Sequence, residues 1–469
     1  MVKSGIGGFI IFGGVKEELI PFIVELQGMS EHRLFIASDI ERGVGQQIDG
    51  ATHFPCQMAM AAAIDMNRPE DIALYKSAIT AIAHESLAIG INKLLAPVLD
   101  VNTNPSNPII CTRAFSGDPA AVAMFGRIYI ETIEASGLIS CAKHFPGHGD
   151  TETDSHIALP VIGKTEGQLR ESDFVPFKEA IKAGVSSIMA AHIAIPAIDA
   201  YPASLSKKIL TDILRNELSF DGLILTDALN MDALKDFEDV EAKCINAGAD
   251  ILLHPMDAVE TADSLMNCLS RGRLERANAA AALQRVLKAK SRPLTRLNPD
   301  SSGSDHQAIS TAITEKSITL VAGGNTQFIP EPSNTLLIEA GESKFHGSST
   351  LTQYFTNHLS LSNTEAAAAA AARDTQGLIV LVAIYTNIAA WRGSSGIPQL
   401  EIDAIKALIA RSGQSAVISF GSPYLLSQFQ EAGVLIAAYE ASRQAVAAVL
   451  KCLQGKLRYE GRLPVELPC

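Results

Sequence analysis

Fourteen consecutive residues, KHFPGHGDTETDSH from Lys143 to His156, concentrate side chains that bind metals or move protons. They include three histidines, two aspartates, a glutamate and a lysine. Three interpretations are open: a metal site, a polar loop whose histidines are hydrogen-bonded, or a proton relay. The candidate metal ligands are His144, His148, Asp150, Asp154 and His156.

The spacing within this segment favours the relay. Asp154 and His156 are two residues apart, so in an extended loop their side chains point to the same side. A carboxylate beside an imidazole fixes its tautomer and raises its basicity, which suits an acid/base catalyst near neutral pH. Zinc sites on a helix use ligand spacings such as HExxH, whereas Pro146 and two glycines interrupt this segment.

Two further segments carry carboxylates at the ends of apolar runs. In GLILTDALNM, Asp227 is a candidate nucleophile or the N-cap of a following helix. In ASDIERGVGQ, Asp39 and Glu41 share one side of a strand end. Such a pair can hold sugar hydroxyls or form a structural ion pair with Arg42.

Cationic side chains complete the set of candidates. Arg113, in IICTRAFSGDP, either contacts a ligand or fastens its own loop. Lys143 stands at the end of an apolar run, and lysine is rarely buried there for packing alone.

The elements that position these residues alternate along the first part of the chain. Short, fully apolar runs alternate with amphipathic stretches, which predicts a parallel sheet with helical crossovers. About 290 residues suit a (β/α)8 barrel, in which polar residues at the carboxyl ends of the strands meet on one face. The strand-end residues are Asp39, Asp100, His144, His192, Asp227 and His254. Only about seven strands can be counted, so the barrel is predicted to lack its first strand.

A second domain follows a break in the pattern. Residues 291–307 are rich in Ser, Pro and Asp without periodicity and are interpreted as a linker. Strand-like runs then alternate with helical stretches over 308–469, which predicts an α/β three-layer sandwich. The predicted domains are therefore a barrel over 1–290 and a sandwich over 308–469.

Composition excludes several classes of protein. The net charge of −13 argues against binding to a phosphate backbone. The seven cysteines are dispersed without a CxxC pair, which indicates neither a disulfide framework nor a zinc site. No run approaches the ~20 apolar residues of a membrane span. The first residues do not resemble a secretion signal, so a cytoplasmic location is expected.

Taken together, the segments resemble glycoside hydrolase family 3, and most closely its β-N-acetylhexosaminidase branch, whose bacterial members recycle cell-wall muropeptides. The motifs are KHFPGHGDT…DSH, APVLDVNTNP, TRAFSGDP, IMAAHIAIPAID and ILTDALNM, in that order. VISFGSPYLL and GRLPVELP are similar to the sandwich domain of two-domain members.

The resemblance implies a retaining exo-glycosidase that releases terminal N-acetylglucosamine from a small carbohydrate, without a cofactor or metal. Asp227 would be the nucleophile, and His156, oriented by Asp154, the acid/base. The residues expected to contact the sugar are Asp39, Arg113, Lys143, His144 and His192, with Met189 lining the pocket.

Two departures from the family pattern keep alternatives open. The usual DxEGGR is Asp39-Ile40-Glu41-Arg42-Gly43-Val44, and the usual TDD is Thr226-Asp227-Ala228. A glycoside phosphorylase or β-glucosidase of the same fold remains an alternative, as does a non-catalytic sugar-binding protein. The oligomeric state is not predicted.

Overall fold

The computed structural model describes residue 2 and residues 5–155, 157–293, 306–324, 328–347, 349–388 and 395–468. The chain forms two compact units. The first comprises Met1–Phe54, Lys76–Asn104 and Asp118–Gln307. The second comprises Pro55–Tyr75, Pro105–Gly117 and Ala308–Cys469.

The strands of the described residues are β1 Gly8–Ile10, β2 Phe35–Ser38, β3 Lys93–Leu94, β4 Cys141–Phe145, β5 Ser187–Ala190, β6 Leu223–Ala228, β7 Ile251–Leu253, β8 Thr319–Ala322, β9 Thr335–Gly341, β10 His358–Ser360, β11 Ile379–Tyr385, β12 Gln414–Phe420 and β13 Val434–Ala437.

The α-helices of the same ranges are α1 Lys16–Gly28, α2 Gln57–Ala63, α3 Pro69–Ile89, α4 Pro119–Ala135, α5 Glu166–Glu171, α6 Phe174–Lys182, α7 Val240–Ala247, α8 Ala258–Ser270, α9 Arg276–Lys290, α10 His306–Ser317, α11 Thr350–Tyr354, α12 Thr364–Ala371, α13 Gln399–Arg411 and α14 Arg443–Leu453. A π-helix spans Lys208–Glu217. Short 3-10 helices occupy Val44–Gln46, Cys111–Arg113, Ala203–Leu205, Asp232–Leu234, Pro332–Asn334, Ser343–Phe345 and Pro423–Phe429. No helix of the described ranges combines the length and apolarity needed to cross a bilayer.

The first unit carries seven short parallel strands in its described residues, each followed by helical chain. They form the ladders β1-β2-β3 and β4-β5-β6-β7, which single bridges at Lys93–Ile139 and Val98–Lys143 connect. At the ends of β1 and β7, the rings of Phe12 and His254 lie 5.2 Å apart. These seven parallel strands agree with the (β/α) barrel that the sequence predicts.

Apolar side chains fill the interior of these strands. One cluster joins side chains from β2, β4, β5, β6 and β7, and Val286 and Ala289 of α9 pack against it. The strands are covered on both sides, so nearly all their residues are apolar. They therefore appear as continuous apolar runs in the sequence.

The second unit is built on a six-stranded sheet of order β10-β9-β11-β12-β13-β8, in which only β8 is antiparallel to its neighbour. Alternate residues of β11 point to opposite faces, and each face is buried under helices. Helices α12 and α13 cover one face, and α11 and α14 cover the other. The predicted three-layer sandwich is confirmed.

The two units interleave along the sequence, which the predicted boundaries do not foresee. Cys56, Met58 and Cys111 are buried in the same apolar cluster as β9, β11 and β12. Residues 55–75 and 105–117, predicted as part of the barrel domain, therefore belong to the second unit. Of the predicted linker 291–307, residues 294–305 lie outside the described ranges.

One buried residue of the barrel runs against the apolar pattern. Lys93 in β3 is 2% exposed, and its Nζ donates to Ser187 Oγ at 2.7 Å. Its ammonium lies 5.6 Å from the centre of the Phe35 ring. Burial lowers the pKa of Lys93, because the charged form is poorly solvated there.

We expect Lys93→Met to stabilise the protein at neutral pH. The lowered pKa means that the unfolded chain binds the Lys93 proton more tightly than the folded chain does, which lowers the free energy of unfolding at neutral pH. This loss of stability disappears as pH rises toward the ordinary lysine pKa of about 10.4. Each kcal/mol gained should raise the unfolding midpoint by about 2–4 °C. Thermal unfolding between neutral and alkaline pH measures the gain, with the exposed Lys76→Met as the control. A gain that does not shrink as pH rises would contradict this explanation.

Candidate active site

The carboxyl ends of the barrel strands carry the polar residues that the sequence places there. Asp39 follows β2, Lys143 and His144 lie in β4, His192 follows β5, and Asp227 lies in β6. In a parallel barrel these ends share one face, so the side chains form a common site.

Lys143 is held by two carboxylates. Its Nζ lies 2.7 Å from Asp39 Oδ1 and 2.7 Å from Glu41 Oε1. The side chain of Lys143 is 2% exposed and that of Glu41 5%, whereas that of Asp39 is 30% exposed. Glu41 therefore serves to fix the lysine, and Asp39 also keeps surface open to a ligand.

Asp100 fixes both the histidine of β4 and the loop behind it. Its Oδ2 lies 2.7 Å from His144 Nδ1, and its Oδ1 accepts from the amides of His144 at 3.2 Å and His148 at 2.6 Å. Burial alone would raise the pKa of Asp100, but the neighbouring histidines and amides outweigh it and lower that pKa. Asp100 is therefore an acceptor only, so His144 donates from Nδ1 and keeps Nε2 for a ligand.

His192 is oriented in the same manner. Its Nε2 lies 3.2 Å from the carbonyl oxygen of Ala228, and its Nδ1 lies 2.8 Å from Ser204 Oγ. Because a carbonyl only accepts, Nε2 carries the proton. This bond ties His192 to the residue that follows Asp227.

Asp227 is a partly buried carboxylate surrounded by cationic and imidazole side chains. Its Oδ1 accepts from the amide of Ala228 at 2.8 Å. Burial would raise the pKa of Asp227, but His144, His192, the Ala228 amide and Lys143 together hold it below its usual range. At neutral pH the group is an anion that can attack or stabilise an electron-poor carbon.

The alternative that Asp227 caps a helix is wrong. Asp227 belongs to strand β6, and the next helical residues, Asp232–Leu234, begin five positions later. Among the described residues, the backbone amide that donates to its side chain is that of its own neighbour, Ala228. The residue thus stands at a strand end, where the barrel directs it toward the common site.

The loop after β4 is anchored from within. His148 is 1% exposed, with Nδ1 2.7 Å from Thr151 Oγ1 and Nε2 3.4 Å from Ser155 Oγ. Burial lowers its pKa to about 4, so it is neutral at pH 7 and acts as a structural residue. A Cβ on Gly149 would lie 1.9 Å from the carbonyl oxygen of Val101, so only glycine fits that position.

The predicted relay is described only in part. Asp154 is buried, at 2% exposure, and its backbone oxygen accepts from the amides of Ile157 and Ala158. His156 lies outside the described residues. The pairing of these two side chains stays a prediction.

Two other residues predicted to contact the ligand, Met189 and Arg113, do not lie among the polar strand-end residues described above. Met189 is 2% exposed and belongs to the apolar cluster inside the barrel. Arg113 belongs to the second unit, where its Nη1 donates to the carbonyl oxygen of Ile109 at 2.9 Å. Both roles at the sugar stay predictions.

Among the described residues, no three His, Cys, Asp or Glu side chains are grouped so that they could hold a metal ion. Two roles escaped the sequence reasoning, namely Asp100 as the partner of His144 and Glu41 as the partner of Lys143. The role of Asp100 could have been inferred, because the sequence already places this carboxylate at a strand end beside the others.

Comparisons with known proteins agree with this geometry. The family model described as the glycosyl hydrolase family 3 N-terminal domain matches residues 2–289. Beta-hexosaminidase A of Pseudoalteromonas piscicida is 34% identical over 62% of this chain and 54% of its own length. A beta-N-acetylglucosaminidase/beta-glucosidase of Cellulomonas fimi is 28% identical over 99% of this chain and 89% of its own.

Solved structures support the two-domain fold. A glycoside hydrolase family 3 beta-N-acetylglucosaminidase from Paenibacillus sp. str. FPU-7 has a TM-score of 0.84 and 28% identity, covering 99% of this chain and 94% of its own. A beta-glucoside phosphorylase has a TM-score of 0.86 at 22% identity, covering 98% of this chain and 89% of its own. That likeness shows the fold alone.

The chain spans 54% of the length of the P. piscicida relative and 64% of a beta-hexosaminidase from Chromobacterium violaceum. The family model nevertheless covers more than half of this chain, and it includes every strand end of the site. The chain belongs to glycosyl hydrolase family 3.

Proposed function

We propose that the chain is a retaining exo-glycosidase that releases terminal β-linked N-acetylglucosamine. The observation that carries this proposal is Asp227, a carboxylate kept ionised at a strand end amid Lys143, His144 and His192. The names of the P. piscicida and Paenibacillus relatives support the choice of sugar.

In the proposed mechanism, Asp227 attacks the anomeric carbon as the bond to the leaving group breaks. His156, oriented by Asp154, gives its proton to the departing oxygen. It then takes a proton from water, which attacks the glycosyl-enzyme and releases Asp227 with the original configuration restored. The scheme differs from the common pair of carboxylates because the acid/base is an imidazole.

The remaining site residues would hold the sugar. Asp39 and Lys143 offer an acceptor and a donor from one ion pair, and His144 presents Nε2 from its bond to Asp100. His192 keeps its ring beside Asp227. Arg113 and Met189 complete the proposed set, on the strength of the sequence resemblance.

The biological setting is part of the same proposal. A cytoplasmic role in the recycling of muropeptide fragments rests on the sequence resemblance alone. β-Glucosidase specificity is the second candidate, since the Cellulomonas fimi relative carries both activities in its name.

Asp227→Asn should abolish turnover while leaving the fold intact, because the amide keeps the shape but cannot form the glycosyl-enzyme. A loss on the order of 10⁴ or more is expected. Release of p-nitrophenol from p-nitrophenyl N-acetyl-β-glucosaminide measures it. Asp232→Asn, an exposed aspartate five residues later, is the matched control. Turnover that survives in Asp227→Asn would overturn the assignment.

Asp100→Asn should lower kcat/KM by roughly tenfold to a hundredfold, since one charge-assisted hydrogen bond of about 1.5–3 kcal/mol to His144 is lost. A changed pH profile should accompany the loss, because the site then lacks the buried carboxylate whose pKa the neighbouring donors hold low. Asp257→Asn is the control, as Asp257 also accepts from two amides but caps α8. An unchanged pH profile with a lower melting temperature would assign Asp100 a purely structural role.

The sugar and the acceptor can be settled together. The N-acetylglucosaminide should be cleaved faster than the matching glucoside, and millimolar phosphate should leave the free sugar as the product. A faster reaction with the glucoside would favour the second candidate. A sugar 1-phosphate would show phosphorolysis, which an imidazole acid/base permits because it lacks the negative charge that repels phosphate.

A further inference from the structure

A cluster of basic side chains lies at the opposite end of the barrel from the proposed active site. Arg33 stands two residues before the start of β2, and Lys290 and Arg292 stand at the end of α9. All three are half-buried. We name Arg33, Lys290 and Arg292 the basal cluster.

Contacts through Ala289 and Phe35 bring the three residues to one place. The carbonyl oxygen of Ala289 lies 3.5 Å from Arg33 Nη2 and accepts from the amide of Arg292 at 3.4 Å. The Nζ of Lys290 lies 5.4 Å from the centre of the Phe35 ring, just beyond Arg33 in the sequence. The basal cluster thus surrounds the last turn of α9.

The basal cluster holds more positive charge than the nearby carboxylate can balance. Glu134 Oε2 lies 2.9 Å from Arg292 Nη1, and the same carboxylate accepts from Ser140 and Ser186. Within the described part of the chain, neither Arg33 nor Lys290 takes part in an ion pair. Three cations against one carboxylate leave an excess of about two positive charges.

One donor of the cluster is buried without a partner. Arg33 Nε has no hydrogen-bond acceptor among the described residues, although its nitrogen is shielded from solvent. A buried, unsatisfied donor on a charged group is costly. Consistent with the crowding, burial and Arg292 lower the pKa of Arg33, and burial and Arg33 lower that of Lys290.

A purely structural explanation accounts for only part of this arrangement. Cations at a helix C-terminus offset its partial negative charge, which amounts to roughly half a unit. That is less than the excess at the basal cluster, and it leaves Arg33 Nε unbonded. A bound dianion would offset the rest of the excess positive charge.

We propose that the basal cluster is a binding site for a small phosphate-type dianion, separate from the strand ends that carry Asp227. Arginine suits this ligand because its planar donors match phosphate oxygens, and Lys290 adds a point charge. The inference does not depend on the proposed activity.

Titration with inorganic phosphate tests the proposal on the full chain, with ionic strength held constant by chloride. Calorimetry should show saturable binding, and the melting temperature should rise with phosphate as binding to the folded state requires. In the Arg33→Gln/Lys290→Gln variant, affinity should fall at least tenfold. The control, Arg276→Gln/Lys288→Gln, removes the same charge from exposed positions of α9 and should bind as the native chain does.

The outcomes separate this site from any phosphate bound near Asp227. Binding that persists unchanged in the Arg33→Gln/Lys290→Gln variant, or that is absent from the native chain, would overturn the proposal. Equal losses in both double variants would also overturn it, since they would show a nonspecific effect of charge. Should the first variant unfold, Lys290→Gln alone is compared with Lys288→Gln by the same criteria.

Discussion

The buried carboxylate of Asp100 is the interaction on which the rest of the site depends. It binds the His144 ring, the His144 amide within β4 and the His148 amide in the segment that follows. One side chain therefore orients His144 and fixes the base of the loop that leads to Asp154. An anion can be fully buried there because three donors replace its water. Asp100 at its strand end thus couples the barrel to the loop that carries Asp154, a member of the proposed acid/base pair.

The charges around Asp227 follow from the same construction. A carboxylate that must act as a nucleophile has to be ionised, yet it must also lie in a site from which water is largely excluded. Lys143, His144 and His192 reconcile these requirements because their fields offset the effect of burial. Lys143 in turn is fixed by Asp39 and Glu41, so the network reaches across β2, β4, β5 and β6.

The fold was largely predictable, because buried parallel strands appear as apolar runs and their carboxyl ends share a face. The sequence alone predicts that Asp39, His144, His192 and Asp227 stand at successive strand ends. The partner of each residue did not follow from order alone: Glu41 binds Lys143, an interaction that spans a hundred residues. The assignment of residues 55–75 and 105–117 to the second unit could not be predicted either. An apolar segment does not reveal by its own sequence which of two cores it packs into. The burial of Lys93 could not be predicted either, because lysine is ordinarily exposed.

The central claim is that Asp227 becomes covalently attached to the sugar. Mass spectrometry of the enzyme after reaction with an activated fluorosugar of the N-acetylglucosaminide class tests it most directly. The account predicts a mass increase of one sugar on the peptide that contains Asp227, and none in Asp227→Asn. An adduct on another residue, or turnover of the fluorosugar through an inverting reaction without an adduct, would contradict it.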